Sequence, residues 1–114
     1  MALIQRSGGS CAAHTLAETY STLTRRGKGY GVPTLAALQI IQDVRENFTL
    51  VSLTANETLH VIRDLAERGL PGSLVYDALL LACARKVQAR TIYTNDVHDF
   101  KRIAPDLASR IVEP

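Results

Sequence analysis

The stretch "GSLVYDALLLACARK", residues 72–86, decides the fold. Ten of the eleven residues from Leu74 to Ala84 are apolar, and the exception is Asp77. A run this uniform predicts a helix covered on most sides, with Ser73 as its N-cap. Leu74, Leu80 and Leu81 stand three or four positions from Asp77, on its own side of that helix. An isolated charge in such company is costly unless it is paired, neutralised or bound to a cation. The plain explanation is a carboxylate held by the helix macrodipole or by an arginine from elsewhere. The functional one is a site built at the margin of the core.

Working outward, helical and strand-like segments alternate. "ALIQR" reads as the tail of a helix and "SCAAH" as a short buried strand. "TLAETYSTLTRR" follows as a helix with Leu16, Tyr20 and Leu23 on one face. Gly27, Gly29, Gly31 and Pro33 mark a loop. "TLAALQIIQDVREN" is a second helix and "FTLVSL" a strand. "TANETLHVIRDLAERG" is a third helix, opened by a Thr54–Glu57 capping box and closed by Gly69. After the Asp77 helix come a strand ("RTIYT"), a helical turn ("DFKRIA") and a closing strand ("RIVE"). This alternation predicts a mainly parallel sheet with helices on both faces. In such sheets the working site lies beyond the carboxyl ends of the strands.

The chain of 114 residues suffices for one domain with a real core, 1–114. No apolar stretch approaches the ~20 residues of a membrane span. The opening "MALIQRSGGS" has one Arg and no long apolar centre, so it does not read as a secretory signal. Cys11 and Cys83 fit no metal-ligand spacing and are expected as buried free thiols in a reducing cytoplasm. The net charge of +2 is too mild to announce a nucleic-acid binder, and it leaves room for a local basic patch.

Two more acids are notable. Asp96, in "TIYTND", falls just past a strand end, where it either builds a site or caps the following turn. Asp99 joins it or caps the next turn. Glu18 is explained without chemistry by a Thr15–Glu18 capping box. It also lies roughly opposite the Leu16, Tyr20 and Leu23 stripe, beside Ser21, Thr22 and Arg25. His14, His60 and His98 lack the spacing of a zinc site. The loop "RRGKGYG" is not a phosphate cradle, since it follows a helix and lacks the P-loop pattern. Its Arg25, Arg26 and Lys28 are weak candidates for phosphate contacts. Ser10 and Cys11 have no evident base beside them.

In order, the chain gives a strand and a helix with Glu18, an apolar helix with Asp77, and a strand end followed by D-x-x-D-F. The carrying segments are "AAHTLAETYSTLTR", "VYDALLLACARKVQARTIYTND" and the "DF" after them. This arrangement resembles the PIN domain, in particular the VapC-like ribonuclease toxins, over nearly the whole chain. The resemblance implies a three-layer α/β/α sandwich. It also implies an acidic cluster of Glu18, Asp77 and Asp96, with Asp99 as an auxiliary and Thr94 as the supporting hydroxyl. That cluster would hold Mg²⁺ or Mn²⁺, hard cations that prefer carboxylate and water oxygens. The implied reaction is hydrolysis of RNA by a metal-activated water, leaving 5′-phosphate and 3′-hydroxyl ends. The implied partners are the RNA, a small VapB-like antitoxin and a second copy of the chain.

The family's usual opening, a central strand ending in Asp, has no counterpart here. The expectation is therefore an N-terminally truncated domain, weak or inactive as a nuclease and prone to dimerise through open sheet edges. The alternative is a non-catalytic PIN remnant acting as an interaction or dimerisation module. A receiver-like signalling domain is disfavoured, because "FTLVSLT" offers no acceptor Asp and "TIYTND" no Lys.

Overall fold

The computed structural model describes residues 9–114. The elements run β1 (Ser10–Ala12), α1 (Thr15–Thr24), α2 (Thr34–Asn47), β2 (Thr49–Val51), α3 (Ala55–Glu67), α4 (Leu74–Lys86), β3 (Ile92–Tyr93), α5 (Val97–Ile103), a 3₁₀ turn (Pro105–Arg110) and β4 (Ile111–Val112). The result is a mixed α/β fold, with helices around a short parallel sheet. β1 pairs with β2 in the register Cys11 to Leu50, and β3 pairs with β4 in the register Ile92 to Ile111. Among the described residues these are two separate two-stranded pieces. The helix expected over "ALIQR" lies outside the described residues.

The core forms around α4, which buries Ala78, Leu80, Leu81, Cys83 and Ala84. It packs against α3, α5 and β1. Leu65 of α3 joins this cluster, as do Ala12 of β1 and Val51 of β2. From the other side come Ile92, Phe100, Ile103, Leu107 and Ile111. Both cysteines are buried free thiols, and burial pushes both thiol pKa values up. The Cys83 Sγ donates to the Val51 carbonyl at 3.8 Å, tying α4 to β2.

Polar links fix the chain after α4. Arg85 grips Asp106 with two hydrogen bonds of 2.7 and 2.9 Å, joining α4 to the 3₁₀ turn. Arg68, just past α3, donates to the carbonyls of Ile103 and Arg102 at the end of α5. Lys86 binds Glu57 at 2.8 Å and the Ser52 carbonyl at 2.9 Å. Gly69 has φ +66°, the left-handed turn that ends α3.

Two expected caps are corrected. The Thr54–Glu57 box forms as read, with both reciprocal bonds present. The Thr15–Glu18 box does not: α1 is capped by His14, without a side-chain cap bond. His14 has helical dihedrals (φ −68°, ψ −19°), so Thr15 already sits inside the first turn. There its buried Oγ1 has no hydrogen-bond partner among the described residues. A capping side chain needs an extended backbone, as Thr54 has at φ −70°, ψ 166°. Ser73 fails for the same reason, with φ −70°, ψ −7° and no side-chain cap bond.

Phe100 is 1% exposed and links α5 to the cluster around α4. Truncating it to alanine should lower stability by about 3–5 kcal/mol in chemical denaturation. Arg85→Ala, which breaks an exposed pair, should cost about 1 kcal/mol or less.

Candidate active site

Three elements carry the site. α4 presents Asp77 at the end of its first turn, half-buried and followed by the wholly buried Ala78. The segment after β3 carries Asp96 and Asp99. α1 carries Glu18, which is exposed. Ala78, Leu80 and Leu81 turn into the core and fix the rotation of α4. Asp77 is thereby held at the margin, partly out of water.

The carboxylates act on one another. Asp77 is pushed up to about 6 from an ordinary 3.8, first by burial and then by the negative charges of Asp96, Asp99 and Glu18. Acids on α1 and on the β3–α5 segment therefore contribute to the field at Asp77 on α4. The arginine explanation of Asp77 fails, because a neighbouring guanidinium would lower its proton affinity. No arginine or lysine is among the causes of its shift.

Asp96 occupies the N-cap of α5, but its side chain makes no capping bond. Its own N–H donates to Thr94 Oγ1 at 3.0 Å. Thr94 is 2% exposed, and its N–H reaches the Val112 carbonyl at 3.1 Å. Thr94 thus anchors to β4 the loop that carries Asp96. Asp99 lies in the first turn of α5 and adds to the field at Asp77. The buried Phe100 beside it fixes the turn.

Glu18 has a neighbour that sequence reasoning missed. His14 Nε2 stands 3.6 Å from Glu18 Oε1, one helical turn away. That distance is an ion-pair contact when the ring is protonated and too long for a good hydrogen bond. The signal was the i, i+4 spacing of the two residues.

Arg25, Arg26 and Lys28 are all exposed, and none forms a salt bridge with a described residue. Only Arg25 borders a cavity with Glu18, about 490 Å³ in volume and also lined by Ala17, Ser21, Thr22 and Tyr76. A larger cavity of about 620 Å³ lies at the far end of α4, lined by Arg85, Arg90 and Arg110 among others, and includes none of the four acids.

The donor set suits a hard divalent cation: all carboxylate oxygens, with proton affinity at Asp77 raised by burial and then by neighbouring negative charge. Among the described residues, no three His, Cys, Asp or Glu side chains stand close enough together to hold an ion by themselves. Mg²⁺ keeps several waters and binds through one or two carboxylates plus substrate phosphates, so an open arrangement fits it.

A model of the PIN domain family matches residues 2–105, and the chain belongs to that family. PIN domains are nucleases, generally metal-dependent, that act on RNA or DNA. No curated protein and no solved structure matches the chain. Among the described residues no helix is long and apolar enough to cross a membrane.

The raised proton affinity of Asp77 has a direct consequence for the metal-free protein. Its folded-state pKa lies above the ordinary value, so its contribution to stability is intact below about pH 4 and is lost as pH rises through about 6. Asp77→Asn should therefore raise stability in chelator at neutral pH, by on the order of 1 kcal/mol after allowing for solvent screening. The gain should vanish near pH 4 in thermal melts. Adding Mg²⁺ should stabilise the parent protein and not the variant.

Proposed function

We infer that the chain is an endoribonuclease of the VapC-like toxin type. In this reading Glu18, Asp77 and Asp96 hold Mg²⁺ or Mn²⁺, Asp99 assists, and Thr94 positions Asp96. What supports it is the raised proton affinity of the half-buried Asp77, caused by burial and then by the charges of Asp96, Asp99 and Glu18 on neighbouring elements. A cation bound there supplies an activated water and neutralises charge on the leaving oxygen. The protein's own part is to hold the carboxylates in place, through the buried face of α4 and the Thr94 bond. Arg25, Arg26 and Lys28 supply positive charge for RNA phosphates. RNA is favoured over DNA by the family resemblance in "VYDALLLACARKVQARTIYTND".

Inhibition by a small VapB-like antitoxin and pairing with a second copy belong to the same reading. Exposed apolar residues support a protein partner: Leu35 and Leu38 on α2, and Leu59 and Ile62 on α3. Two free buried thiols agree with a reducing cytoplasm. A second reading, a non-catalytic member that keeps the fold for interaction or dimerisation, draws on the spacing of the described carboxylates. The same spacing favours weak activity if the chain does cleave.

The test is cleavage of single-stranded RNA with Mg²⁺, Mn²⁺ or EDTA, with the product ends mapped and DNA of the same sequence alongside. Metal-dependent cleavage to 5′-phosphate ends, reduced roughly 10²-fold or more by Asp77→Asn, is expected. Cleavage that persists in EDTA, or in Asp77→Asn, rules the reading out. RNA binding with no cleavage under any metal establishes the non-catalytic alternative.

A further inference from the structure

Where α4 ends, far from Asp77, the sequence reads "ARKVQARTI", residues 84–92. The turn there repeats the one that closes α3. After α3, the N–H of Leu70 reaches the Leu65 carbonyl at 2.9 Å and that of Gly69 the Ala66 carbonyl at 3.2 Å. After α4, the N–H of Ala89 reaches the Ala84 carbonyl at 3.0 Å and that of Gln88 the Arg85 carbonyl at 3.1 Å. Such a turn puts one residue in the left-handed region. That residue is Gly69 at φ +66° in the first case and Gln88 at φ +53° in the second. Glycine adopts this backbone freely, whereas a side chain there crowds the following carbonyl. Gln88 is the one residue other than glycine with a positive φ among the described residues. A side chain kept at such a position points to a use for it.

Gln88 lines the cavity of about 620 Å³ at this end of α4. The buried Ala89, Ile92 and Leu107 form its apolar floor. Its charged lining residues are Arg85, Arg90 and Arg110, with no acid beside them among the described residues. Arg85 is committed through both terminal nitrogens to Asp106. Arg90 and Arg110 are exposed and enter no salt bridge with a described residue. Arg110 donates to the Ala89 carbonyl at 3.4 Å, which ties it to the cavity wall. Two uncompensated positive charges thus border one apolar hollow. An anion between them relieves their repulsion, and the planar guanidinium fork matches phosphate oxygens. The volume falls within the roughly 300–1,000 Å³ of small-molecule sites. About 12 Å of helix rise separates Arg85 from Asp77, so the cavity is distinct from the acidic site.

We propose that this cavity binds a small phosphorylated molecule of nucleotide size. Its uncharged body rests on Ala89, Ile92 and Leu107, its phosphates meet Arg90 and Arg110, and the Gln88 amide hydrogen-bonds the polar edge of the body. The mixture of an apolar floor and a basic rim favours this class over inorganic phosphate, which has no apolar part to bury. The site does not rest on the nuclease reading, and its test is independent of cleavage.

The experiment is titration calorimetry of the full chain in EDTA with ADP, AMP, adenosine and inorganic pyrophosphate. A short oligoribonucleotide with hydroxyl groups at both ends is titrated alongside. ADP should bind more tightly than AMP, and both more tightly than adenosine or pyrophosphate. Arg90→Ala and Arg110→Ala should each weaken ADP binding about 10-fold or more. Gln88→Gly should also weaken it, while its melting temperature without ligand should be no lower than the parent's. Lys101→Ala, which removes an exposed cation outside the cavity, should leave ADP affinity within about twofold. Melting temperatures of all variants establish that they are folded. Failure of ADP to bind overturns the site, as does equal affinity for adenosine and ADP. An equal loss in Lys101→Ala and Arg90→Ala reduces the binding to general charge attraction and overturns it too. Oligoribonucleotide binding that depends on Arg90 and Arg110, without ADP binding, gives the cavity to a nucleic-acid backbone instead. Unchanged ADP affinity in Gln88→Gly overturns the role assigned to Gln88.

Discussion

Burial of α4 is the constraint on which the rest depends. Ala78, Leu80, Leu81, Cys83 and Ala84 are covered by β1, α3 and α5, and no other helix gives so many residues to the core. A helix committed on so many sides has little freedom to rotate. Its first turn is therefore a fixed mount, and what stands there is held at a set depth and direction. Asp77 stands there. The penalty it meets from burial and neighbouring charge is sustained by apolar packing elsewhere in the same helix, which keeps the carboxylate from turning fully into water.

The other carboxylates are mounted by different means. Asp96 depends on a short relay: the sheet bond between Thr94 and Val112, then the Thr94 hydroxyl, then the Asp96 N–H. Phe100 and Ile103 hold α5 against the core, while Arg68 fastens the carbonyls at its C-terminal end. Arg85 and Asp106 tie the 3₁₀ turn back to α4. The chain from residue 94 onward is thus braced at both ends of α5. Glu18 has no such brace and is exposed on α1, with His14 Nε2 3.6 Å from its carboxylate. The acids thus differ in how firmly the surrounding structure holds them.

Much of this was legible in the sequence, and the failures have a common cause. Asp77 stood out because one charge interrupts an apolar run, a contrast that needs no coordinates. The strand and helix order was readable because periodicity and punctuation are local. The two T-x-x-E patterns were indistinguishable as strings, yet only Thr54–Glu57 forms a box. The difference lies in the dihedrals of the residue preceding the helix, helical at His14 and extended at Thr54. That correction removes the main innocent explanation of Glu18. Asp99 was undervalued, because its effect on Asp77 depends on how α5 leaves β3. The Arg85–Asp106 and Arg68–α5 links span 21 and 35 residues in the chain and carry no local signature.

The charge pattern of the site sets its own requirement. Burial, and then the negative charges of Asp96, Asp99 and Glu18, raise the proton affinity of Asp77. The same field repels an incoming phosphodiester, and the overall charge of +2 is far too small to offset it at short range. Attraction has to be local, and Arg25 is the positive group that shares a cavity with Glu18. One guanidinium balances one phosphate and leaves the carboxylate field intact.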